Sequence, residues 1–147
     1  MLRFLPILTV CFGLLACKDA QTGDFVGTWV VTGESRHRFL STEQQKAAAT
    51  IVLAANGTFV ATEVPEDLLY GPPQAGNGIV TGNGDWKLLS REDRQQIQLN
   101  FEKIAAGQRS VLPYGTQLNV SKGWSVVTLF YFQGDADQGR RIEFEKK

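Results

Sequence analysis

The amino-acid sequence predicts an all-β fold, in which about eight antiparallel strands follow one another as a meander and close into a barrel. Short segments with alternating apolar and polar residues recur along the chain, separated by turns rich in Gly, Asn and Asp. The chain shows no strand–helix–strand spacing of the kind that a parallel sheet requires. Closing the meander leaves no long strand edge exposed, so we expect a barrel rather than an open sheet.

The composition is that of an ordinary globular domain and excludes one class of partner. The 147 residues suffice for one domain with its own hydrophobic core. Hydrophobic residues make up 43% of the chain, and the 15 Lys and Arg residues balance the 15 Asp and Glu residues. A nucleic-acid-binding domain shows a basic excess, so we expect no nucleic-acid partner.

Residues 1–16 are predicted to be a signal peptide. Arg3 supplies a positive charge, and the apolar segment Leu5–Leu15 is too short to span a bilayer. The segment ends in Leu14-Leu15-Ala16-Cys17, which resembles the lipobox of bacterial lipoproteins. The resemblance implies cleavage after Ala16 and attachment of a diacylglycerol to the Cys17 thiol, followed by acylation of the new amine. A secretory signal with an unmodified cysteine is the alternative.

This interpretation predicts a protein anchored by lipid in the cell membrane or the outer membrane, with its domain facing the periplasm or the cell exterior. Residues 17–23 are then the lipid anchor and tether, and residues 24–147 form the barrel domain. Two or more acyl chains anchor a protein stably. Removal of Arg3 lowers the count of Lys and Arg from 15 to 14, against 15 Asp and Glu. Lipid rather than charge is therefore expected to hold the domain at the membrane.

The first strand and one short helix are predicted at the beginning of the barrel domain. The β-branched segment Val26–Glu34 predicts strand one. Ser41 and Gln44 have the spacing of a capping box, which predicts a helix of about two turns over residues 42–48, between strands one and two. Three residues with basic or ionisable side chains are expected at the end of strand one: Arg36, His37 and Arg38.

A hairpin and a long loop are predicted next. Asn56-Gly57 separates two apolar segments, Ile51–Leu53 and Thr58–Val60, and this dipeptide is a strong hairpin signal. Residues 64–81 form an irregular connection rich in Pro and Gly, with one helical turn predicted near its start. Long loops often contact partners, so Tyr70 is a candidate contact residue.

The second half of the chain supplies the remaining strands. Residues 96–102 alternate polar and apolar without a break, as expected of a strand with one buried face. Residues 105–113 are predicted to be a loop and residues 134–139 a turn. The other strand candidates are residues 82–89, 117–120, 125–132 and 141–145.

The segment Gly27-Thr28-Trp29, near the start of the domain and combined with this strand pattern, resembles the lipocalin-like (calycin) group. In that group a Gly-x-Trp on the first strand closes one end of the barrel, so the resemblance implies that Trp29 seals the barrel. Gly84-Asp85-Trp86 repeats the pattern in the middle of the chain. The helix between strands one and two is more similar to the lid of fatty-acid-binding proteins.

The sequence offers little for catalysis or metal binding. Both cysteines, Cys11 and Cys17, lie in the signal peptide and anchor, and His37 is the single histidine, so the usual zinc sites are excluded. His37 also has no serine or aspartate partner in a recognisable triad motif. Residues 135–139 begin like a calcium loop but lack its later carboxylates, so a tight turn is expected there. We therefore expect no metal, no cofactor and no enzymatic activity.

Two functions remain, and they differ in the role of the aromatic residues of the barrel. If these side chains line a cavity, the protein is expected to bind a small apolar or amphipathic ligand in or at the barrel. If they fill the interior, as the narrow width of eight-stranded barrels favours, the loops become the working surface. The alternative is therefore a protein-binding envelope lipoprotein, an inhibitor or an immunity-type factor. The candidate ligand or partner contacts are Arg36, His37, Arg38 and Tyr70.

Overall fold

The chain folds into a closed antiparallel barrel, seen in a computed structural model that describes residues 20–69, 78–91, 93–106, 109–111, 114–123 and 125–147. Eight strands form the ring, and a ninth, short strand lies beside one of them. The strands are β1 Gly27–Val31, β2 Thr50–Leu53, β3 Thr58–Pro65, β4 Ile79–Arg91, β5 Arg94–Ala106, β6 Arg109–Val111, β7 Tyr114–Lys122, β8 Val127–Phe132 and β9 Arg141–Lys146.

The barrel is a meander, because strands that pair in the ring follow one another in the sequence. The ring closes where β1 pairs with β9, with Trp29 opposite Lys146. The longest pairing joins β4 to β5. The short β6 pairs with residues 104–106 at the end of β5, beyond the part of β5 that pairs with β7. The predicted all-β meander and its closure into an eight-stranded barrel are therefore confirmed.

Short helices and turns connect the strands. Within the described ranges the α-helices are α1 Thr22–Phe25, α2 Gly33–Phe39 and α3 Thr42–Lys46, and the 3₁₀ turns are Glu66–Leu68 and Ala136–Gln138. None of these helices is long and apolar enough to cross a bilayer. The predicted capping box of α3 is confirmed, since Ser41 and Gln44 each accept the other's backbone N–H with their side chains.

The prediction for the end of strand one is wrong. The sequence predicts a strand over Val26–Glu34, but β1 ends at Val31. Thr32 instead begins α2 as its N-cap, because its Oγ1 accepts a hydrogen bond from the Ser35 N–H. Two helices therefore connect β1 to β2 where one was predicted, and the basic triplet lies on α2 rather than at a strand end: Arg36, His37 and Arg38.

One predicted loop and two predicted turns can be compared with the connections between the strands. The prediction of a loop at residues 105–113 is wrong, because this segment contains the end of β5 and all of β6, which pair with each other. The turn predicted at residues 134–139 contains a 3₁₀ turn. The Asn56-Gly57 hairpin is confirmed: Gly57 has a φ of +84°, and the Asn56 side chain accepts the Thr58 N–H.

The barrel interior is packed with large side chains. Phe59 and Phe101 meet edge to face, with ring centroids 4.8 Å apart. The rings of Tyr131 and Phe144 lie 6.4 Å apart. The largest side chains with less than 2% exposure are Trp29, Phe25, Phe59, Phe101, Phe144, Ile51, Leu53, Leu69, Ile97, Leu99, Ile104 and Leu118.

The two ends of the barrel are built from different parts of the chain. We call one the tether end, because α1 and the start of β1 lie there, with the turns at residues 54–57 and 91–94. At this end the Trp29 indole N–H donates to the Phe25 carbonyl oxygen at 2.8 Å, and the two rings lie 6.4 Å apart. We call the other the helix end, because it carries α2 and α3, with the turns at residues 66–69 and 133–140.

Candidate functional site

The helix end of the barrel is closed by the 3₁₀ turn that follows β3. Leu68 and Leu69 in this segment are no more than 3% exposed and belong to the hydrophobic core. The Thr116 hydroxyl of β7 donates to the Leu68 carbonyl oxygen at 2.8 Å. Because β7 is not a neighbour of β3 in the ring, this bond ties the turn across the barrel end.

A buried carboxylate, Asp67, fastens the same turn to β8 and the loop after it. One carboxylate oxygen accepts the Tyr131 hydroxyl and the other accepts the Gln133 side-chain amide, both at 2.7 Å. Burial raises the pKa of the Tyr131 phenol well above its usual value of 10.0, and the charge and hydrogen bond of Asp67 raise it further. Since both oxygens are occupied and Asp67 is only 9% exposed, the carboxylate serves the fold and is closed to a substrate.

We expect Tyr131→Phe to destabilise the barrel at neutral pH and to weaken its sensitivity to alkali. The folded state keeps the phenol neutral. Its contribution to stability is therefore complete below about pH 10, where the unfolded chain begins to ionise, and is lost as the pH rises towards the folded-state pKa. Loss of a hydrogen bond to a carboxylate costs about 1.5–3 kcal/mol. Urea unfolding at about pH 8 and about pH 11 measures both effects.

Gln133→Leu is the matched control for this variant, because it removes the second hydrogen bond to Asp67 without removing an ionisable group. Its loss of stability is expected to be the same at both pH values. The loss caused by Tyr131→Phe is expected to shrink at the higher pH. Equal losses for Tyr131→Phe at the two pH values contradict the assignment of a neutral, buried phenol.

A groove of about 270 Å³ lies outside the barrel at the helix end, between α2 and β9. Two hydrogen bonds join these elements: the Thr32 N–H donates to the Glu143 carbonyl oxygen at 2.9 Å, and the Glu143 N–H donates to Ser35 Oγ at 3.0 Å. We call this feature the α2–β9 groove. Its lining residues are Glu34, Ser35, Arg38, Phe39, Gly139, Arg141 and Glu143.

Two arginines stand on the two sides of the α2–β9 groove, one from each element. On α2, Arg38 pairs with Glu34 at 2.7 Å, and its guanidinium lies 5.2 Å from the centre of the Phe39 ring. On β9, Arg141 pairs with Glu143, and its guanidinium lies 5.0 Å from the Phe130 ring of β8. Each guanidinium is thus held by a carboxylate and by an aromatic face.

The lining of the groove suits polar recognition. Two guanidiniums, two carboxylates and the Phe39 ring present charge and apolar surface side by side. The hydroxyl in the lining belongs to Ser35, which is 3% exposed and already accepts the Glu143 N–H. That hydroxyl therefore holds α2 against β9 and is poorly placed to act as a nucleophile.

The structure separates the predicted contact residues. Arg38 lines the groove. Arg36 instead donates through Nη1 to the carbonyl oxygens of Gln45 and Ala47 at 3.5 and 3.2 Å, so it holds the end of α3 against α2. His37 is exposed on α2 and is absent from the groove lining. Tyr70 and Cys17 lie outside the described residues.

Sequence reasoning missed most of the groove. Only the spacing of Glu34 and Arg38, four residues apart, marks one side of a helix, and that signal needs a helix prediction at these positions. The contribution of Arg141 and Glu143 depends on the packing of β9 against α2 and has no local signal. Within the part of the chain that the structure describes, no three His, Cys, Asp or Glu side chains are grouped so that they could hold a metal ion.

Comparison with known proteins finds no relative of this chain. No family model, no curated protein and no solved structure matches the chain. The barrel is compatible with a lipocalin-like fold, since eight antiparallel strands close in meander order. Fold alone does not specify function. The packed core of the described residues and the α2–β9 groove are therefore the features that bear on function.

Proposed function

We propose that this chain is a lipid-anchored bacterial envelope protein that binds another protein through its outer surface at the helix end, as an inhibitor or an immunity-type factor. This is the second of the two functions considered from the sequence. The observation that favours it is the close packing of the described core side chains. The first function, binding of a small apolar or amphipathic ligand in or at the barrel, stays a prediction. A ligand inside the barrel requires the core side chains to move apart.

The interior leaves little space for a ligand among the described side chains. Trp29, Phe59 and Phe101 are each no more than 1% exposed and lie within one continuous core. Phe25 packs on Trp29 at the tether end, and Leu68 and Leu69 close the helix end. Ligand pockets commonly enclose about 300–1,000 Å³, so a ligand of that size would have to displace several of these side chains. An eight-stranded barrel is either filled by its own side chains or holds one small ligand, and the near-complete burial of these side chains favours the first arrangement.

The outer surface near the groove has the residue types that dominate protein interfaces. Arginine and aromatic residues are enriched in protein interfaces and supply much of their binding energy. Phe132, which is 38% exposed, meets Phe130 edge to face at 5.5 Å, and Arg141 lies over Phe130. Arg141, which lines the groove, therefore lies against the exposed aromatic residues of β8.

The position of the proposed anchor supports the same function. Lipid on Cys17 would hold the chain a few residues before α1, which lies at the tether end of the barrel. The α2–β9 groove lies at the opposite, helix end. A short tether would therefore keep the tether end near the bilayer and turn the groove towards the periplasm or the cell exterior. A protein partner is accessible there.

Site-specific photo-crosslinking in cells that make this protein natively tests the proposal. A photoreactive benzoylphenylalanine replaces Gln138, an exposed residue next to Gly139 in the groove lining. The control replaces Asn83, an exposed residue of β4, the strand diametrically opposite β9 in the ring. We expect a discrete, light-dependent protein adduct from Gln138 and none from Asn83. Adducts from neither position, or equally from both, contradict the proposal.

A further inference from the structure

We propose that the partner inserts an aspartate or glutamate side chain into the α2–β9 groove, where its carboxylate bridges Arg38 and Arg141. This inference rests on the proposed protein-binding function and names the chemistry of the partner. Four observations support it: the hydrogen-bond donors that remain on the two arginines, their contacts with aromatic rings, the exposure of the competing glutamates, and the size of the groove.

Both guanidiniums keep donors that their internal ion pairs do not use. Among the described residues, Arg38 bonds Glu34 through Nη1 and Arg141 contacts Glu143 through Nε. A guanidinium carries five N–H donors in a planar fork, so each arginine retains N–H groups for a further acceptor. A carboxylate matches that fork with its two oxygens. An incoming carboxylate therefore finds suitable donors on both sides of the groove.

The two arginines are positioned before any partner arrives. The Phe39 ring holds the guanidinium of Arg38, and the Phe130 ring holds that of Arg141. Stacking on aromatic faces restricts long, flexible side chains that otherwise lose freedom on binding. These contacts therefore restrict both guanidiniums and lower the cost of ordering them on association.

Glu34 and Glu143 compete with an incoming carboxylate for the two arginines, and they differ in their exposure to solvent. The Glu34 side chain is 74% exposed, and its pair with Arg38 is a solvent-exposed contact of the kind that contributes little to stability. A partner carboxylate can displace it while Phe39 still holds Arg38. The Glu143 side chain is 25% exposed against 46% for Arg141, so the guanidinium is the more accessible member of that pair. At this second pair accessibility therefore favours an anionic partner group, whereas at the first pair Glu34 is more exposed than Arg38 and has to be displaced.

The size and place of the groove favour a protein side chain as the source of the carboxylate. A volume of about 270 Å³ is below the usual range for whole ligands, and Phe39 offers apolar surface to the methylene groups beside a carboxylate. The phosphates of the anchoring bilayer would lie at the tether end, across the barrel from this groove. A segment of a protein partner is therefore the occupant that fits the groove.

The crosslink from Gln138 provides the test when it is combined with arginine variants. Arg38→Ala and Arg141→Ala are each expected to lower the adduct yield by roughly tenfold or more, as truncation of interface arginines does. Arg91→Ala, at an exposed position on the opposite strand β4, is expected to leave the yield unchanged. Glu34→Gln is expected to raise the yield, because it removes the competing charge, and a merely structural role for these residues predicts no such gain.

The outcomes separate this inference from the function on which it rests. Absence of any adduct in the parent protein contradicts the proposed function itself. An adduct of equal yield in the parent, Arg38→Ala and Arg141→Ala leaves protein binding in place and overturns the carboxylate bridge. A fall in yield for Glu34→Gln overturns it as well.

A small probe tests the same site without the partner. In the full-length protein labelled with ¹⁵N, N-acetyl-glutamate amide is expected to shift the side-chain N–H signals of Arg38 and Arg141, while that of Arg91 stays in place. N-acetyl-glutamine amide, its neutral analogue, is expected to shift neither arginine of the groove. Shifts caused by inorganic phosphate but absent with the glutamate derivative would overturn the assignment of a carboxylate partner.

Discussion

Replacing Trp29 with alanine is expected to lower the free energy of unfolding by about 3–5 kcal/mol. The indole is fully buried, packs against Phe25 and donates its N–H to the Phe25 carbonyl oxygen at 2.8 Å. The substitution therefore opens a cavity in the core and also leaves a carbonyl oxygen without its donor at the tether end. Both losses fall on a contact that helps to fix α1 to the barrel.

Urea unfolding followed by circular dichroism measures this loss, with Val60→Ala as the matched control. Val60 is 49% exposed on the outer face of β3, so its truncation is expected to change stability by no more than about 0.5 kcal/mol. If Trp29→Ala costs no more than Val60→Ala, the indole does not close the barrel end.

The second large effect is expected from Gly84→Ala, at about 3 kcal/mol or more. Gly84 lies on β4 at a shift in the register of its pairing with β5. A Cβ at this position would overlap the Asn100 backbone carbonyl oxygen and would lie 3.0 Å from the Glu102 nitrogen. Backbone atoms of a paired strand cannot rotate away as a side chain can, so the two strands would have to separate.

Gly115→Ala on β7 is the matched control, because the nearest atom to its Cβ is the end of the Asn100 side chain at 3.4 Å. We expect this control to stay within about 0.5 kcal/mol of the parent. Thermal or urea unfolding of the two variants compares them directly. A Gly84→Ala protein as stable as Gly115→Ala would show that the close approach of β4 and β5 at Gly84 is not required.

The strands were predictable wherever a local pattern determines them. Residues 96–102 alternate without interruption, and they lie within β5 with one face buried. Asn56-Gly57 marks its hairpin because Gly57 adopts the positive φ that the turn requires. Closure of the meander follows from the cost of leaving strand edges open.

The prediction failed where contacts distant in sequence decide the structure. Ser35 on α2 accepts the N–H of Glu143, 108 residues later, and this contact helps to hold a helix where the residues alone suggested the end of a strand. Tyr131 and Asp67 meet across 64 residues. Nothing local to either residue indicates that pairing.

Most of the candidate site could not be predicted for the same reason, because its two sides come from distant parts of the sequence. Arg38 was predicted as a contact residue, but its counterpart across the groove, Arg141, comes from the last strand of the ring. Arg36, next but one in the sequence, is instead engaged with the carbonyl oxygens at the end of α3. Only the packing of α2 separates the role of one arginine from that of the other.

The mass of the mature protein, purified from cells that make it natively and measured under denaturing and native conditions, tests the central claim most directly. We predict a denatured mass that corresponds to the chain from Cys17 onward plus two or more acyl chains, and a native monomer mass equal to it. A native mass that exceeds the denatured mass by that of a small lipid contradicts the filled barrel. A denatured mass without acyl chains contradicts the anchor at Cys17.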